Sequence, residues 1–164
     1  MQRRSLWSAV AILLAASACF AADAADKKPD RATLEKEFSE KLTGSALIGA
    51  FTVDGQASDK PPHTERYELD SVSKTAGDNW TFVSRIKYGQ NDVKVPLTIK
   101  VLWAGDTPVI SLTDFEIPGL GTFTARVMFY GDRYVGTWQH GEVGGHMFGK
   151  IEKGKPAAEP KPAK

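Results

Sequence analysis

From Gly44 to Glu152 the hydrophobic residues of this chain recur every second position, and that period restricts the fold more than any other feature. The clearest stretch is Asp92 to Trp103, where Val93, Val95, Leu97, Ile99, Val101 and Trp103 alternate with Lys94, Pro96, Thr98 and Lys100. Such a pattern puts one face of an extended strand in a core and the other in water. Pro96 marks a bulge or a sheet edge, because proline cannot donate to a ladder. Trp80, Phe82, Ser84, Ile86 and Tyr88 alternate in the same way, as do Phe123, Ala125, Val127 and Phe129.

Turn residues punctuate these runs at Asp54-Gly55, Gly77-Asp78-Asn79, Gly89-Gln90-Asn91, Gly105-Asp106, Pro118-Gly119, Gly131-Asp132 and Gly144-Gly145. The strands so delimited are 45–53, 64–73, 80–88, 92–103, 108–115, 121–130, 133–140 and 145–152. Short connections make them an antiparallel meander. Eight strands with one apolar face close into a barrel or flattened barrel, which removes the unpaired edges. A sandwich and an open sheet are the alternatives. One short helix precedes the strands: Asp30 can cap a segment from Arg31 to Leu42 in which Leu34, Phe38 and Leu42 recur every four residues.

The N-terminus reads as an address. Arg3 and Arg4 precede an apolar run from Leu6 to Phe20, and the small residues Ala21-Ala22-Asp23-Ala24 follow. This predicts a signal peptide over 1–22 and a secreted or periplasmic protein. The run is about fifteen residues where a membrane-spanning helix needs roughly twenty, so no transmembrane segment is expected in the mature chain. Cys19, the one cysteine in 164 residues, falls inside this leader. Ala16-Ser17-Ala18-Cys19 also resembles a degenerate lipobox, which makes a lipid anchor at Cys19 the minor alternative. Residues 23–30 and the Lys-, Pro- and Ala-rich segment 154–164 lack large apolar side chains and read as a flexible linker and a disordered tail. Residues 31–153 form a single domain, long enough to bury about two thirds of their unfolded surface.

With 21 Lys+Arg against 20 Asp+Glu, the net charge of +1 is too small for a nucleic-acid surface. No Gly-x-Ser-x-Gly elbow occurs, and Gly119-Leu120-Gly121 lacks the third glycine of a dinucleotide loop. Asp114, Glu116, Glu65 and Glu68 could supply paired carboxylates, but acids at alternating strand positions read as the wet face. His140, Glu142 and His146 flank the last hairpin, and two imidazoles with a carboxylate suit a divalent metal; they are the candidate ligands of a metal-dependent enzyme. No other cofactor is indicated. Trp80, Trp103 and Trp138 share the apolar phase of their strands, and Gly136 shares it with Trp138 and Tyr134. Either these glycines let tryptophans pack in a filled barrel, or the aromatics line a cavity to which Ser84 and Gln139 add polar groups.

In strand number and spacing, residues 44–152 resemble the lipocalin-like, or calycin-like, small secreted barrels. The Gly-x-Trp triplet of that family, carried there near the first strand, has its match here in the seventh, at Gly136-Thr137-Trp138. The resemblance implies a cup for an apolar ligand. The expected function is thus an exported, non-enzymatic module that binds a small apolar molecule or an envelope partner. A structural envelope component is the remaining alternative.

Overall fold

The structure, a computed structural model, describes residues 29–57, 60–88 and 91–154. The predicted leader, Cys19, most of the linker and all but the first residue of the tail lie outside these residues. Helix α1 spans Arg31–Leu42 and starts where Asp30 accepts a hydrogen bond from the Thr33 N–H at 2.8 Å. Its apolar stripe is short but deeply used: Phe38 is 5% exposed and Leu42 fully buried. Ser39 Oγ donates to the Val72 carbonyl, Thr43 Oγ1 accepts from the Val72 N–H, and Lys153 Nζ donates to the Glu40 and Thr43 carbonyls. These contacts bolt the helix end to the wall it closes.

The strands are β1 (Ser45–Phe51), β2 (His63–Ala76), β3 (Asn79–Tyr88), β4 (Asn91–Ala104), β5 (Thr107–Ile117), β6 (Gly121–Tyr130), β7 (Arg133–His140) and β8 (Val143–Lys153). Each pairs antiparallel with the next, and β8 pairs with β1, from Ser45↔Lys153 to Phe51↔Met147, to close the barrel. The all-β meander with one short helix before it is therefore a closed barrel, with the architecture of the lipocalin-like cups.

The wall is uneven. The β3–β4 ladder runs the whole length of β3, from Asn79↔Lys100 to Tyr88↔Asn91, whereas β4 and β5 pair only from Lys100↔Ser111 to Ala104↔Thr107. The first half of β4 is consequently paired on one side alone. Pro96 sits in that half, opposite Val83, which is the edge position its missing N–H requires. On β5 the seam begins at a bulge between Leu112 and Phe115, where Asp114 has a φ of 46°.

At the α1 end the interior is filled. Phe38 meets Trp80, Phe82, Trp103 and Phe129 edge-on, with ring centroids 5.4 to 6.5 Å apart. Val72 and Val101 complete this plug, both 1% exposed or less, and the equally buried Tyr134 ring lies 6.4 Å from Phe129. At the opposite end the inward residues Phe51, Tyr67, Val95, Leu112, Phe115, Ile117 and Trp138 are only partly buried. One end is thus stoppered, and at the other, the mouth, the inward side chains keep partial contact with solvent.

Candidate functional site

The chemistry of the mouth is set by one row of the wall. Tyr134 on β7 pairs with Gly149 on β8, Gly149 with Gly49 on β1, and Gly49 with Glu65 on β2. All four face inward. With no side chains on the two middle strands, the tyrosine ring lies across them, and its hydroxyl donates to Glu65 Oε1 at 2.6 Å. A Cβ at Gly49 would stand 2.5 Å from the Tyr134 hydroxyl, and one at Gly149 would stand 2.7 Å from the ring. Only glycine fits under this side chain.

Tyr67, next along the inward face of β2, donates to Glu65 Oε2 at 3.0 Å. Burial pushes the Glu65 carboxyl above the usual carboxylate range, and the two phenol hydrogen bonds hold the rise in check. Burial first, and the adjacent carboxylate second, push both phenols far up, so each keeps its proton and stays a hydrogen-bond donor at any physiological pH. The expectation that Glu65 belongs to a wet face is corrected. Glu65, Tyr67 and Leu69 share one parity on β2 and enter the barrel together, while Arg66, Glu68 and Asp70 face out.

Above the carboxylate lies an aromatic rim. Phe51 stacks on His63 at 5.1 Å and meets Trp138 edge-on at 5.6 Å. The Trp138 indole lies over Gly145, its ladder partner on β8, repeating the arrangement of Tyr134 over Gly149. Its Nε1 is buried and has no hydrogen-bond partner, an unmet donor at the mouth. Across the opening Phe123 stacks on His140 at 4.4 Å.

The three tryptophans do not form one pocket. Trp80 and Trp103 belong to the plugged end, where Arg31 covers the Trp103 ring at 4.6 Å, and only Trp138 reaches the mouth. Ser84 is buried within the wall, as its phase predicts. Gln139 points the other way: it pairs with Thr124 and Gly144 on the outer face and donates to the Gly141 carbonyl at 3.0 Å.

Nor are the candidate metal ligands brought together. His140 carries the inward parity of Trp138, whereas His146 pairs with Thr137 on the outside, 3.5 Å from Thr52 Oγ1, and Glu142 lies in the turn between. A hairpin places residues six apart near one another only when their parities agree. Among the described residues no group of three or more His, Cys, Asp or Glu could hold a metal ion.

Two grooves flank α1 on the outside, of about 500 and 270 Å³. The larger is lined by Arg31, Glu35, Lys74 and Trp103, whose charges are already engaged: Lys74 Nζ is 2.6 Å from Glu35, and Arg31 covers Trp103. No known family, curated protein or solved structure matches the chain.

Proposed function

We propose that the protein is an exported, non-enzymatic module that takes a small apolar molecule into the mouth of its barrel and holds the molecule's polar head at Glu65. The observation that carries this reading is a half-buried carboxylate, braced by two phenols, beneath a rim of Phe51, Trp138 and Phe123. Both carboxylate oxygens already accept a hydrogen bond from a phenol and retain lone pairs for further donors. An amine suits this best, because it adds opposite charge in a confined site and can face the aromatic rim. The ligand's apolar part would replace water over half-buried rings, at about 25 cal/mol per Å² covered.

Dodecylamine and dodecanoate differ only in the head. The expected result is quenching or a shift of Trp138 emission by dodecylamine, absent in Trp138→Phe and weakened at least roughly tenfold in Glu65→Gln, a loss of about 1.4 kcal/mol. Equal response to both amphiphiles, or an unchanged affinity in Glu65→Gln, refutes the proposed site.

A further inference from the structure

The outer wall carries a second unassigned surface. Leu102 pairs with Val109, Val109 with Met128, Met128 with Val135, Val135 with Phe148, and Phe148 with Ala50, so outward apolar side chains follow one ladder across six strands. Four of them are wide open to solvent: Leu102 at 44%, Met128 at 41%, Val135 at 46% and Phe148 at 44%. Scattered apolar residues on a surface need no explanation, but a continuous row does.

The rows on either side are basic. One holds Tyr130, Arg133 and Lys150, in register across β6, β7 and β8. The other holds Lys100, Ser111, Arg126, Thr137 and His146. Arg133 and Lys150 have no ion-pair partner among the described residues, and Arg126 spends its guanidinium on the Leu112 and Ala125 carbonyls and the Thr113 hydroxyl. Beside the first of these rows, Asp132 is engaged by Lys41, and Glu152 lies one outward step beyond Lys150.

We infer that the β6–β8 face docks on an anionic lipid bilayer, with Met128, Val135 and Phe148 entering the interface and Arg133 and Lys150 meeting the headgroup phosphates. Charge complementarity selects the occupant. A second copy across a two-fold axis would set these cations against themselves. The central strands of this face are paired on both sides, so they offer no edge to a partner's strand; what remains is non-directional, apolar insertion plus point charges. One apolar row suits the interfacial depth of roughly 5–10 Å. It is far short of the band about 25 Å tall that surrounds a membrane-spanning barrel.

Sedimentation of the full chain with vesicles tests this. Vesicles of equal parts phosphatidylcholine and phosphatidylglycerol are compared with phosphatidylcholine alone, for the natural protein, Arg133→Glu/Lys150→Glu and Phe148→Ser. The leader is common to all three, so differences report the wall, and circular dichroism checks that each is folded. The expected result is binding to the anionic vesicles that weakens with salt, by roughly fivefold for each cation removed and by more for a reversal, with a further loss in Phe148→Ser. Equal binding by the natural protein and both variants overturns the inference, as does indifference to phosphatidylglycerol. A chain that ignores both vesicle types but forms a stable complex with an acidic protein overturns it too.

Discussion

Replacing Tyr134 with phenylalanine removes a single oxygen and leaves the ring over Gly49 and Gly149. The lost interaction is a 2.6 Å hydrogen bond to a carboxylate, a class worth about 1.5–3 kcal/mol. Glu65 is only half-buried and keeps Tyr67 at 3.0 Å, so water can replace part of what is lost. At neutral pH the expected cost is about 1–2 kcal/mol, or roughly 4–8 °C of Tm for a domain of this size. The pH dependence is more diagnostic. The hydroxyl stabilises the charged form of Glu65, so its removal must raise that carboxyl further, and the cost must shrink to below about 1 kcal/mol once the carboxyl is protonated. Thermal unfolding of both proteins at neutral and at acid pH measures the difference. A Tyr134→Phe penalty of the same size at both pH values, or none at either, would refute the assignment of Glu65 as the acceptor.

Because burial raises the Glu65 carboxyl in the folded state, the native protein binds its proton more readily than the unfolded chain does; stability attributable to this group falls as pH rises from the usual carboxylate range through its raised value, and Glu65→Gln should abolish that slope in pH-dependent denaturant titrations. Phe38→Ala empties the stopper among four aromatic rings, and urea unfolding should show a loss of about 3–5 kcal/mol. Gly145→Ala places a Cβ 1.9 Å from the Thr52 carbonyl and beneath Trp138, so emission should shift to the red and stability should drop by about 1–3 kcal/mol.

Local pattern was sufficient for the wall. The two-residue period and the turn glycines place all eight strands within a few residues of their observed ends, and the spacing of Leu34, Phe38 and Leu42 gives α1 over its observed range. The site was only half legible. Glu65 has the parity of Tyr67 and Leu69, a signal present in the sequence and outweighed by the usual solvation of strand acids. Tyr134 and Trp138 are spaced as Gly145 and Gly149 are, four apart, yet that coincidence acquires meaning only when β7 and β8 are placed in register. The row Tyr134–Gly149–Gly49–Glu65 joins four strands, two of them distant in sequence, and such a line is a property of barrel closure. The outer apolar row is of the same kind: each of its members is an unremarkable exception on its own strand.

The short ladder between β4 and β5 leaves the first half of β4 without a neighbour on its β5 side, a place where a stray strand could be recruited. The chain has posted guards there. Pro96 withholds a donor in mid-strand, and Lys94, with its ammonium 2.5 Å from Asp70, puts a charge along the same stretch. Substituting valine for Pro96 would restore the donor and lengthen an uninterrupted β-branched run. The seam would then become a template for fibril growth while the barrel itself stayed intact.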